Sequence, residues 1–149
     1  MVDLPRLGRM TQVATLRRDR NEIALAEAGR ARDAREGQLA QARAAEAQAS
    51  DRLREAERMF AAEPASPQAQ LWRQVQTGRV AEARAEAEQR AVHRDEAALA
   101  HERARAELLR ADARLGRTQA LHARDAAAYT AQRDEREAED RPHMPRKPA

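Results

Sequence analysis

Met59-Phe60-Ala61-Ala62-Glu63-Pro64-Ala65-Ser66-Pro67-Gln68-Ala69-Gln70-Leu71-Trp72 is the stretch whose chemistry sets the fold. It holds the only phenylalanine and the only tryptophan of the chain, and the only prolines between Pro5 and Pro142. Proline lacks a backbone donor and its ring clashes with the turn before it, so Pro64 stops a helix arriving from the N-terminal side. Ser66-Pro67 reads as an N-cap followed by proline at the first helical position, which starts another helix. The stretch is therefore the turn of a helical hairpin, with the two large aromatics flanking it.

Outside this turn the 149 residues are mostly Ala, Arg, Glu and Gln with sparse Leu. Aromatics are 2% and charged residues 36%, with a mean hydropathy of −0.93, so a thick globular core is out of reach. Low hydrophobicity with many charges is also the signature of disorder. Against disorder stand a net charge of only +3, few Gly and Pro, and a preponderance of strong helix formers. The mixture matches coiled coils and long helices, and a two-helix seam needs far less apolar area than a globule. Of 28 basic residues Lys147 is the only lysine, leaving 27 arginines that lift the pI to about 10.4. Cysteine is absent, which removes disulfides and thiol chemistry. No apolar leader or membrane-length run is present, so the expectation is a cytoplasmic protein without direct membrane insertion.

The sequence predicts one all-α domain over 1–141, an antiparallel two-helix coiled coil. Its first helix covers about 4–62, its turn about 63–67 and its second helix about 68–141. At ~1.5 Å per residue the arms would extend about 85–90 Å and about 110 Å. In the first arm Leu25, Leu39, Leu53 and Phe60 share a heptad position with Arg32 and Glu46, and Ala28, Ala42, Ala49 and Ala56 follow three residues on. In the second arm Val80, Ala87, Leu108, Leu115 and Tyr129 recur at one position, interrupted by Arg94, His101 and His122. Ala83, Ala97, Ala104 and Ala111 lie three further on, and Val92, Leu99, Ala106, Ala113 and Ala120 suggest a second stripe broadening the apolar face. Gly29 and Gly37 weaken the first helix and give room for close approach or a bend. Opposite charges three apart, at Glu27/Arg30, Asp51/Arg54, Glu55/Arg58, Glu102/Arg105 and Glu107/Arg110, read as a solvated surface. Residues 142–149 carry three prolines and read as a disordered basic tail.

Catalytic, cofactor and metal sites are not expected. His93, His101, His122 and His143 lack ligand spacing, the five glycines are dispersed, and a pair of helices offers no pocket to shift carboxylate pKa values. The first twenty residues hold Arg6, Arg9, Arg17, Arg18 and Arg20 against Asp3 and Asp19. Elsewhere acids interleave with the arginines and base-stacking aromatics are missing, so nucleic acid is not the expected partner. Met59, Phe60, Leu71, Trp72 and Val75 either close the hairpin or present an apolar tip to a partner.

The layout resembles the FliJ/YscO family, the central stalk proteins of type III secretion systems. The features that carry the resemblance are Val13-Ala14-Thr15-Leu16-Arg17-Arg18 leading into a charged first helix and a single tryptophan in Gln70-Leu71-Trp72-Arg73-Gln74. The third is the acidic-basic run Gln132-Arg133-Asp134-Glu135-Arg136-Glu137-Ala138-Glu139-Asp140-Arg141 before a short Met144-Pro145-Arg146-Lys147-Pro148 tail. The high Ala/Arg content and few large seam residues depart from the flagellar pattern and suit an injectisome-type member. The resemblance implies a cytoplasmic protein, peripheral at the inner membrane, whose partners are a hexameric secretion ATPase, an inner-membrane export gate protein and secretion chaperones. Carried onto this chain, Arg9, Arg17, Arg18, Arg20, Arg133 and Arg136 would face the ATPase. Met59, Phe60, Leu71, Trp72 and Val75 would face the gate. The competing reading is a generic coiled-coil scaffold or adaptor.

Overall fold

A computed structural model describes residues 4–139. Two long helices, α1 (Leu4–Ala62) and α2 (Pro67–Glu139), pack against each other, and there is no strand among the described residues. The expected continuation of α2 to residue 141 and the expected tail over 142–149 lie outside the described residues.

The turn forms as its residues dictate. The last α1-type bond runs from the Glu63 amide to the Met59 carbonyl at 3.1 Å, and the Ser66 amide then closes a tight turn onto the Glu63 carbonyl at 3.1 Å. Pro64 occupies the second position of that turn, where its fixed φ is already suitable. Ser66 caps α2: its Oγ accepts from the Ala69 amide at 3.3 Å and its carbonyl accepts from the Gln70 amide at 3.2 Å. α2 begins at Pro67, where proline needs no amide partner at the first helical position.

The helical pair divides into two units. The turn unit is Ala24–Arg105 and contains both sides of the turn. Within it Arg84 reaches Glu46 at 3.4 Å, Arg90 donates to Gln38 at 3.3 Å, and Arg94 lies 4.0 Å from Glu36. The His101 ring lies against Gly29, at 3.7 Å from where a Cβ would stand. As α2 numbers rise the α1 partners fall, so the pairing is antiparallel. Leu39, Ala56, Ala69, Val80 and Ala87 form the core here, and fully buried Gln76 joins them. Three of these five apolar residues are alanines, so the seam is narrow and its burial thin.

The terminal unit is Met1–Ile23 with Ala106–Ala149, of which 4–23 and 106–139 are described. It is antiparallel too: Asn21 donates to the Glu107 carbonyl at 3.4 Å, Arg18 to Asp112 at 3.1 Å, and Gly8 faces His122. Ala111 is its only buried apolar residue among those described.

The heptad positions face the partner helix as expected in both arms, with Leu25, Leu53, Phe60, Leu108 and Leu115 half-buried. Two expectations need correction. Val92 and Leu99 are 56% and 52% exposed, and Ala106, Ala113 and Ala120 are exposed as well, so this stripe does not widen the seam. These residues lie on the side of α2 turned away from α1, and a two-helix pair covers only one side of each member. Tyr129, at 56% exposure, is not a seam residue. It lies one heptad beyond His122, which already faces Gly8, so α2 has there run to the start of α1.

Of the five surface pairs, Asp51–Arg54 closes at 2.8 Å and Glu107–Arg110 at 2.6 Å. Arg58 instead donates to the Arg54 carbonyl at 3.4 Å. Such exposed pairs contribute only about 0.2–1 kcal/mol each, so the seam rather than the surface holds the fold. Gly37 has open space around its missing Cβ. Gly37→Ala is expected to stabilise the turn unit by about 0.5–1 kcal/mol, through helix propensity alone. An unchanged or lower urea midpoint in that variant would show that the glycine has a role in the folded state.

Candidate functional site

Two surfaces concentrate the residues singled out above, one in each unit. In the turn unit, Met59, Leu71, Trp72 and Val75 are 53%, 61%, 40% and 40% exposed. Spacings of three and four place Leu71, Trp72 and Val75 on one face of α2. Met59 and Trp72 share a shallow depression of about 440 Å³ with Ala62, Ser66 and Ala69. Phe60 is different. It is half-buried, and the Arg73 guanidinium stacks 4.1 Å from its ring centroid. Phe60 thus closes the end of the seam, and the exposed apolar surface belongs to the other four residues.

In the terminal unit an open groove of about 830 Å³ runs beside the seam. Arg6, Arg9, Arg17 and Arg20 of α1 and Arg110 and Arg114 of α2 line it, with Met10, Val13, Ala14 and Ala111 as its apolar part. One carboxylate, Glu107, also lines it, and that group is bound by Arg110 at 2.6 Å. Arg9, Arg17, Arg20 and Arg114 make no ion pair among the described residues.

Arg18 stands apart from this set. Its Nε donates to Asp112 at 3.1 Å, while Nη1 meets Glu22 at 2.9 Å and Asp19 at 3.3 Å. The hydrogen bond donated to Asp112, then the one donated to Asp19 and the charge of Glu22, hold the guanidinium above its ordinary pKa. Arg18 is a seam residue with its charge engaged across the helix pair.

Arg133 and Arg136 are not brought to the groove. α2 has passed the start of α1 by Tyr129, and residues 127–139 are exposed throughout. Arg133 pairs with Asp134 at 3.3 Å and Glu137 at 3.4 Å on its own helix. Arg110 and Arg114, which sequence reasoning passed over, take their place beside the α1 arginines. Their signal is absent from a linear reading because acids surround them in sequence, and only the antiparallel register sets them beside Arg17 and Arg20.

No group of three or more metal-ligating side chains exists among the described residues. No described helix is long and apolar enough to cross a membrane. Comparison with protein-family models, characterised proteins and solved structures finds no match to this chain.

Proposed function

We propose that the chain is the central stalk of a type III secretion export apparatus, of the injectisome type, acting without enzymatic chemistry. The observation that carries this reading is the division of labour within one antiparallel helical hairpin. Arginines of both helices line one groove in the terminal unit, and an exposed apolar patch flanks the turn. In this reading Arg9, Arg17 and Arg20 meet a hexameric secretion ATPase, while Met59, Leu71, Trp72 and Val75 meet an inner-membrane export gate. Secretion chaperones are further partners, and the protein works in the cytoplasm at the inner-membrane face. An asymmetric helix pair inside a ring biases its subunits because each makes different contacts with it, and differential contacts shift populations. The assignment to this apparatus rests on sequence resemblance, and the surfaces supply its physical content.

A second reading, a coiled-coil adaptor, draws on the outward-facing Val92 and Leu99, which another helix could cover.

The test is retention of partners by the purified chain from soluble proteins and detergent-solubilised membranes of its own cells, identified by mass spectrometry. Recovery of a hexameric ATPase and an export gate protein is the expected result. Arg17→Glu is expected to lose the ATPase alone and Trp72→Ala the gate alone, each with unchanged helical circular dichroism. Retention of unrelated helical proteins, insensitive to both variants, would favour the adaptor. Arg18→Glu is a poor test of docking, since it sets two carboxylates together at Asp112 and loosens the seam.

A further inference from the structure

We infer that the arginine-lined groove of the terminal unit takes an acidic amphipathic helix from a partner protein as a third helix. The inference rests on reading this unit as a protein-docking surface, and it holds whether or not that partner is an ATPase.

Geometry supplies the first argument. On α1, Met10, Val13, Arg17 and Arg20 recur at spacings of three and four, so they form one continuous stripe. On α2, Glu107, Ala111, Arg114 and Thr118 do the same. Two such stripes side by side offer the slot in which a third helix lays its own apolar stripe. The α1 lining runs from Arg6 to Asn21, which at ~1.5 Å per residue accommodates about four turns. Met10 and Val13 are 49% and 48% exposed, area that a docked helix would cover.

Charge supplies the second argument. Six arginines line the groove against the single carboxylate of Glu107, which Arg110 already holds. Guanidinium groups flanking an apolar floor match a helix with leucine-type residues along its centre and carboxylates on both flanks, since arginine binds carboxylates in a bidentate fork. A nucleic-acid backbone would satisfy the arginines but leave Met10 and Val13 without a partner, and no aromatic in the groove offers a stacking surface. The terminal unit also has the most to gain, because Ala111 is its only buried apolar residue among those described.

The experiment measures fluorescence anisotropy of the full chain with a labelled synthetic helix of about 18 residues, its leucines three and four apart and flanked by glutamates. Saturable binding is expected, weakened at least about tenfold by Arg9→Glu with Arg17→Glu and Arg20→Glu, because like charges then oppose the peptide. Val13→Asp should weaken it comparably. Arg30→Glu with Arg43→Glu and Arg79→Glu, the same charge change away from the groove, should leave affinity within about twofold once salt screens the long-range field. Replacing the peptide's leucines by glutamine should abolish binding. Equal binding of that leucine-free peptide would overturn the inference in favour of plain charge attraction. So would tighter, groove-dependent binding of duplex DNA or of phosphatidylglycerol vesicles. Groove-dependent self-association in sedimentation of the chain alone would assign the slot to a second copy and overturn it too. All three reversed arginines are exposed; if the triple variant nevertheless lost helicity, Val13→Asp and the leucine-free peptide would decide the matter. Peptide binding without ATPase retention would sink the stalk reading and leave this inference standing, and the converse result would do the opposite.

Discussion

Leu39→Ala is expected to destabilise the turn unit by about 2–3 kcal/mol, the largest loss expected of a single apolar truncation among the described residues. Leu39 is 3% exposed, and the other buried apolar residues among those described are four alanines and Val80. Next to it in sequence, Gln38 accepts from Arg90 of α2, and Glu36 lies 4.0 Å from Arg94. Removing the leucine would leave a gap in a seam that has little other apolar bulk to fill it. The expected loss lies toward the lower end of the usual 2–5 kcal/mol range for such truncations because two helices close on a gap more readily than a globular core does. The control is Leu99→Ala. Leu99 is 52% exposed on the far side of α2, so its truncation should stay within about 0.5 kcal/mol of the parent. Urea unfolding followed by helical circular dichroism reads both. Equal losses in the two variants would mean that Leu99 is covered in solution and that the pairing differs from the one described.

This contrast between Leu39 and Leu99 also marks what the sequence could convey. The turn was legible because Pro64 and Ser66-Pro67 carry unambiguous backbone chemistry, and the capping bonds form at those residues. The primary heptads were legible because Leu25, Leu39, Leu53 and Phe60 are large enough to declare a face. The second stripe misled because alanine is at home on either side of a helix. Once Ala106, Ala113 and Ala120 are discounted, Val92 and Leu99 alone do not define a face.

The candidate site was legible only in part for a related reason. Which arginines meet depends on the offset between the helices, and no single residue encodes that offset. With Gly8 facing His122, α2 outruns α1, which leaves Arg133 and Arg136 on an unpaired stretch and brings Arg110 and Arg114 beside Arg17. Phe60 and Trp72 both flank the turn, but only Phe60 continues the Leu25–Leu39–Leu53 stripe. Rotation about the helix axes separates them: one closes the seam beneath Arg73 and the other faces outward. The buried side chains fall almost wholly in the turn unit, and the unpaired arginines of the groove in the terminal unit.

Gln76→Leu is the converse experiment, and it is expected to raise stability by about 1–3 kcal/mol. Gln76 is fully buried, and neither its Oε1 nor its Nε2 has a hydrogen-bond partner among the described residues. An amide stripped of water without compensation costs about that much, while leucine of similar volume would add apolar burial in a seam otherwise short of it. At about 2–4 °C per kcal/mol for a chain of this size, the thermal midpoint should rise by several degrees. Gln76→Ala separates the two contributions: it also removes the amide but leaves a gap in the seam, so its gain should be smaller or absent. A loss of stability in the leucine variant would mean that the amide is satisfied in solution, by water drawn into the seam or by a shifted helix register. A gain would identify Gln76 as a polar residue tolerated at a stability cost, the kind that in coiled coils fixes register and partner choice. In a seam built mainly of alanine, where small side chains permit many offsets between the helices, one polar residue confined to one level would be an effective way to select among them.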